Sequence, residues 1–435
     1  ELILVNKMKK YLIIAFLSVF IGNLSAQVIP DNYDKNIKKG KEHVSLEEYR
    51  QALPYFLEAW KVDTTDYKLA FNIVTCYFNI KNELAAFPYM DNAKVGIKDP
   101  IMLFYYARIF HLQHKFELAI TLYIEYQQTL DPAEPEYFEM HQYIANCKTG
   151  MTLIKNPVKV KITNLGPKIN SVYPDYAPVI SADETELFFT SRRPNTTGGG
   201  KDLEDGMYFE DIYHSEKIKS DEWSQATDIG NGINTDSHDA CVALAPDGME
   251  LILYRHSGTD GGDLYSSKQK GETWEKPKRL GSTINTPYWE PSASISADEQ
   301  SIFFTSNRKG GIGGTDIYMV RRKDNGDYGS AILLGPTINT TKDEDAPFIH
   351  ADGKTLYFSS KGLKSMGGYD IFYCTIDLET GEVLTPPQNI GYPINTADDD
   401  VFFVWSADGT RAYFSSIREG GYGDKDIYML ERDAV

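Results

Sequence analysis

Five carboxylates stand at one repeated position in this chain. Asp175, Asp239, Glu290, Glu344 and Asp400 each lie eight residues before the aspartate of an Asp-Gly or Asp-Glu turn, namely Asp183, Asp247, Asp298, Asp352 and Asp408. Like charges brought together cost free energy unless something neutralises them. A ring of such groups is suited to a hard cation such as Ca²⁺ or to a basic side chain from a partner. Asp343, Asp345, Asp398 and Asp399 flank two of the five and would deepen the negative field. The plainer reading is that each carboxylate accepts amide N–H bonds from a neighbouring strand and serves as scaffold. The residue types name no particular metal.

Bringing residues more than fifty positions apart into one ring requires a closed repeat. Each copy runs from its turn into an apolar, aromatic strand such as Leu187-Phe188-Phe189 or Ile302-Phe303-Phe304, and then into Asp-Ile-Tyr or a close variant. The variants begin at Asp211, Asp263, Asp316, Asp370 and Asp426, spaced 52 to 56 residues apart. A fixed period of that size with several strand signals per copy is the mark of a β-propeller.

A second phrase, Leu/Ile-Gly followed by Ile-Asn, occupies each linker, as in Leu280-Gly281…Ile284-Asn285 and Ile390-Gly391…Ile394-Asn395. It is missing after the last copy and present before the first, as Leu165-Gly166…Ile169-Asn170. The register is therefore shifted by one strand. A strand over about 158–163 is expected to complete the blade built by the C-terminus and leave no open sheet edge. The expectation is a five-bladed, WD40/PD40-like ring over 157–435.

Upstream, over 31–156, the period becomes helical. Ala52, Ala86 and Ala119 are 34 and 33 residues apart, the tetratricopeptide period, with Tyr and Phe residues between them. Three such repeats form an α-solenoid. A last helix over about 134–154 should cap it and stop at Asn156-Pro157, since the residue before proline avoids the α region. The fold class is thus an α-solenoid followed by an all-β propeller. Solenoids of this kind bind peptide segments on a concave face, so this half reads as an interaction module.

Residues 8–26 read as an export signal: Met8-Lys9-Lys10, an apolar run too short to span a membrane, and a small-residue site before Gln27. The expected location is the periplasm. No cysteine lies near that site, so no lipid anchor is expected. The four cysteines, Cys76 and Cys147 in the helical region and Cys241 and Cys374 in different blades, form no C-x-x-C motif and read as buried thiols, with a Cys76–Cys147 bridge as the alternative. A net charge of −18 argues against nucleic acid and anionic lipid surfaces.

Enzymatic readings find little support. Ser267 to Trp274 resembles a sialidase Asp-box turn, but Gln269 stands at the Asp position. Glycan hydrolysis also needs convergent carboxylates, and sialidases an arginine cluster. Arg192, Arg193, Arg308 and Arg418 recur at equivalent blade positions, as architecture would place them. No G-x-S-x-G elbow, H-E-x-x-H pair or phosphate-binding glycine loop is present, and no cofactor is called for. His111 and His114, on a repeat helix, read as core or surface rather than as metal ligands. The insertion over 194–210 in the first copy reads as a blade-specific contact surface.

The repeats joined through Asn156-Pro157 to Asn164-Leu165-Gly166…Ile169-Asn170-Ser171…Tyr176-Ala177-Pro178 resemble the PorE-type envelope proteins of Bacteroidetes. So do Ser365-Met366-Gly367-Gly368-Tyr369-Asp370 and Asn389-Ile390-Gly391-Tyr392-Pro393-Ile394-Asn395. The resemblance implies a periplasmic scaffold associated with type IX secretion and gliding, alongside outer-membrane proteins of the PorP/SprF kind. Members also carry a β-sandwich and an OmpA-like domain. Neither follows the last repeat in these 435 residues. Peptidoglycan binding is therefore not carried over, and the chain is expected to be either a piece of a longer protein or a shorter paralogue. The leading reading is a non-catalytic, outer-membrane-associated protein scaffold. The alternatives are a propeller that holds a cation, glycan or muropeptide at an acidic channel mouth, and a sialidase-like hydrolase.

Overall fold

The computed structural model describes residues 32–432 apart from 220, 221, 231, 257–260 and 272; the segment read as an export signal lies outside the described residues. Seven α-helices come first: α1 (Asn32–Val44), α2 (Tyr49–Trp60), α3 (Tyr67–Asn79), α4 (Phe87–Gly96), α5 (Ile101–Leu112), α6 (Phe116–Gln127) and α7 (Pro135–Lys155). They pair as α1 with α2, α3 with α4 and α5 with α6, and α7 packs on α6 as the expected cap. The three alanines that set the period are fully buried where helices meet. Gly40 exists for the same reason, since a Cβ there would lie inside the Phe56 ring. Ala86 departs from the helical expectation. It ends a 3₁₀ turn, Glu83–Ala86, before α4 restarts with Pro88 in its first turn, the one place in a helix where a proline's missing N–H costs nothing. Asp66 caps α3 by accepting from the Lys68 and Leu69 amides at 2.8 and 3.2 Å, and takes the Tyr33 hydroxyl at 2.8 Å, which ties α1 to α3.

Five antiparallel sheets follow, each starting with an innermost strand and passing outward. The last blade closes the ring. Strand Val160–Asn164 pairs antiparallel with Asp426–Arg432, from Val160 opposite Arg432 to Asn164 opposite Tyr428. It starts two residues later than expected because the Val158 amide bonds the Tyr392 carbonyl instead. The aromatic second strands fill the space between blades, with Phe189, Phe303, Phe358 and Phe414 buried.

The Ile-Asn phrase is explained by its hydrogen bonds. In every blade the Asn amide reads both main-chain groups of the Ile or Leu in Asp-Ile-Tyr. Asn339 accepts from the Ile317 N–H at 2.8 Å and donates to its carbonyl at 3.0 Å. Asn170, Asn234, Asn285 and Asn395 do the same to Ile427, Ile212, Leu264 and Ile371. One side chain thus replaces a strand where the outer strand has ended, which keeps those buried main-chain groups paired.

Candidate functional site

Asp175, Asp239, Glu344 and Asp400 open the innermost strands of their blades, Glu290 lies three residues before the strand Ala293–Ile295, and all five are completely buried. Each clamps the linker that leads to it. Ser171, Thr235, Thr286, Thr340 and Thr396 donate a main-chain N–H, at 2.5 to 3.0 Å, and a hydroxyl to the carboxylate four residues on. Serines at the end of the second strand add a bond in three blades: Ser306 to Glu290, Ser360 to Glu344 and Ser416 to Asp400.

Four carboxylates also carry an arginine. Arg193 meets Asp175 at 2.9 Å, Arg255 meets Asp239 at 2.6 Å, Arg308 meets Glu290 at 3.4 Å and Arg418 meets Asp400 at 3.2 Å. The same guanidinium groups reach the carbonyls of the Ile-Asn linkers. Three of these arginines lie eighteen residues after their carboxylate, whereas Arg255 lies sixteen after Asp239. That offset breaks the spacing on which Arg193, Arg308 and Arg418 recur. Arg192, one place before Arg193, turns instead to Asp205 at 2.5 Å.

The fourth blade differs. Gly362 stands where the arginine would be, and Thr340 fills the space a side chain there would need. Among the described residues Glu344 therefore has hydroxyl and amide partners but no cation, and burial pushes its carboxyl up to about 7 against those bonds. In the fifth blade burial lifts Asp400 to about 6 despite Arg418.

The axis itself is apolar. The innermost strands bulge between Tyr176 and Val179, between Asp345 and Phe348 and between Val401 and Val404. Ala177, Ala346 and Phe402 take left-handed φ angles there. This turns Ala177-Pro178, Ala346-Pro347 and Phe402-Phe403 toward a central cavity of about 30 Å³, shared with Cys241-Val242 and Ser292-Ala293. Among the described residues no group of three or more His, Cys, Asp or Glu side chains is placed to hold a metal.

On the carboxylate side of the ring the helices lie against blades four, five and one. Three buried side chains of the helical domain bind propeller main-chain carbonyls. Arg108 Nη1 donates to Ala397 at 3.0 Å, His111 Nε2 to Met366 at 2.8 Å and Asn146 Nδ2 to Gly367 at 2.6 Å. Burial, helped by Arg108, drives His111 down to about 3, so the ring is neutral. Met366 is completely buried among Ala107, Phe116, Tyr123, Met140 and Cys147. A Cβ on Gly367 would lie 2.5 Å from the Thr396 and Asp398 carbonyls, so glycine is required where this hairpin meets the next linker. Arg108 also faces Glu83 at 3.6 Å and Asp398 at 3.5 Å. Burial pushes Asp398 up to about 7 against the pull of Arg108.

The 194–210 insertion joins the same interface. The Asp205 carbonyl takes Arg50 Nε at 3.3 Å, and Gln51 packs on Gly206. Its Glu210 and Asp202 hold His238 at 2.8 and 3.3 Å. The glycine-rich hairpins are fixed by their own aspartates: Asp316 accepts from the Ile312 amide, Asp370 from Met366 and Asp426 from Tyr422, at 2.7 to 2.8 Å. All four cysteines are buried free thiols.

No helix among the described residues is long and apolar enough to cross a membrane. No family model matches the chain, and no curated protein does. Solved structures similar to it include a putative TolB from Agrobacterium tumefaciens, 17% identical over 62% of this chain and 83% of that one, with a TM-score of 0.38. TolB from Acinetobacter baumannii is 16% identical over 70% of this chain and 71% of that one, with a TM-score of 0.37. An α-L-arabinofuranosidase from Lactobacillus brevis is 13% identical over 60% of this chain and 90% of that one, with a TM-score of 0.40. Likeness this distant carries no functional inference. The five-bladed ring rests on the strand pairing itself, and TolB-like propellers are among the folds it is similar to.

Proposed function

We propose that this protein is a non-catalytic scaffold that holds protein partners in the bacterial envelope. One observation carries the reading: the polar groups that could have formed a reaction centre are used inside the fold. Each ring carboxylate clamps its own linker, and four are neutralised by arginine. Arg108, His111 and Asn146 bind propeller carbonyls and join two interaction modules across one face.

The export-type segment at 8–26 and the PorE-like phrases support a periplasmic location at the outer membrane. In the finer form of the proposal the scaffold serves a type IX secretion or gliding assembly and docks on a barrel protein of the PorP/SprF kind. Purification of the tagged protein from detergent-solubilised envelopes of its host tests this. The expected result is co-purification of an outer-membrane protein in fixed stoichiometry. Recovery of the protein alone, with turnover of a glycoside reporter, would overturn the reading.

A further inference from the structure

The groove of the helical repeats, where a partner peptide would be sought first, is filled by the propeller's own Met366 hairpin. A different surface is open. Between the helices and blades five and one run two cavities, of about 620 and 410 Å³, and they share Lys81, Asn82, Ile417 and Gly423 along their walls. They form one crevice between the two domains.

Its ends differ in chemistry. At the end near blade one stand Arg50, Lys201 and the shared Lys81, with Tyr173, Tyr208 and the half-exposed Tyr422. None of the three cations forms an ion pair among the described residues. The one hydrogen bond from Arg50 goes to the Asp205 carbonyl, and Lys201 lies 4.6 Å over the Tyr208 ring. Burial lowers the Arg50 pKa below its ordinary value, with Asp205 and Asp424 opposing. A half-buried guanidinium that feels Asp205 and Asp424 but makes no ion-pair contact with either keeps charge available for a partner, in a chain of net −18. The single acid on this wall is Asp424. At the other end Leu84 and Phe87 are 38% and 43% exposed beside Leu112, and the acids Glu83 and Asp398 are held by Arg108, leaving Glu419 on the rim.

We propose that this crevice is the partner-docking site, and that it takes an extended peptide segment bearing acidic residues at one end and bulky apolar residues at the other. The acidic end would lie on Arg50, Lys81 and Lys201, and the apolar end on Leu84 and Phe87. This inference rests on the scaffold reading and gives it a location and a partner chemistry. Charge complementarity sets the direction of the segment, and the apolar end supplies buried area.

The test is fluorescence anisotropy on the full chain with fluorescein-labelled peptides that carry an Asp-Asp pair and a Leu-Phe pair at varied spacing. Control peptides have Lys-Lys for Asp-Asp or Ser-Ser for Leu-Phe. The expected result is saturable binding of an acidic–apolar peptide, weakened by salt, and weakened about tenfold or more in either control and in Arg50→Gln or Phe87→Ser proteins of unchanged melting temperature. Absence of saturation for every peptide, or equal binding by controls and variants, overturns the proposal. A photo-cross-linker placed at Phe87 or at Phe138, a 62% exposed side chain in the first turn of α7 that does not line the crevice, separates the two readings. Capture of an envelope protein from position 138 alone leaves the scaffold standing and removes the crevice; capture from neither removes both.

Discussion

Arg108→Ala is the substitution that probes the join between the two domains. Arg108 is 8% exposed and faces Asp398 at 3.5 Å and Glu83 at 3.6 Å while donating to the Ala397 carbonyl at 3.0 Å. At an effective dielectric of about 20, each charge contact at that range has a gross attraction of roughly 4–5 kcal/mol. Much of this is offset by removing the three ions from water. Deleting one partner reverses the balance, because two buried carboxylates are left facing each other, and a loss of about 3–5 kcal/mol is expected. The loss falls on the interface rather than inside either core. Calorimetry of the variant should therefore show a helical-domain transition separating from, and below, the propeller transition. Arg108→Ala, Asp398→Asn combined should recover part of the loss, since it removes one stranded charge. A single transition within about 0.5 kcal/mol of the parent, the range of an ordinary surface substitution, would refute the idea that Arg108 joins the domains.

Three more outcomes follow from the geometry. Glu344 titrates near 7 in the fold against an ordinary value of 4.5, so its contribution to stability is present at low pH and is lost as pH rises through about 7; Glu344→Gln should flatten that slope, by roughly 3 kcal/mol at most, in urea titrations run from pH 5 to 8. Asn339→Ala leaves the buried Ile317 N–H without a partner, while the Ile317 carbonyl keeps the Leu334 N–H at 3.1 Å, and should cost about 1–3 kcal/mol, read from the denaturation midpoint at unchanged slope. Removing 158–164 strips Asp426–Arg432 of its outer neighbour, and the expected product is an aggregating or ligand-trapping open ring by light scattering; a stable monomer would contradict closure by that strand.

Much of the propeller was legible because its signals are local and periodic. The shifted Ile-Asn phrase at Ile169-Asn170 announced the closing strand, and the 33-to-34-residue alanine spacing announced the repeats. Ala86 strayed from the helix because Pro88 follows it, a local signal that the repeat period overrode. The ring carboxylates were found by spacing, but their partners were not. Whether Asp239 faces solvent or Arg255 depends on side-chain reach across two strands, which no one-dimensional period contains.

The interface was the least legible part. Arg108 stood as a lone charge in an apolar helix, and Met366 as a large apolar residue in a glycine hairpin; each was a signal of burial against something unnamed. Only the three-dimensional docking shows that they belong to one contact.

The most direct test of the central claim is cross-linking of the full-length protein in living cells of its native host, followed by mass spectrometry of the envelope fraction. The account predicts cross-links from residues of both domains, concentrated along the crevice walls near Lys81 and Lys201, to an outer-membrane β-barrel protein. Cross-links confined to the protein itself, under conditions where known envelope complexes are captured, would contradict it.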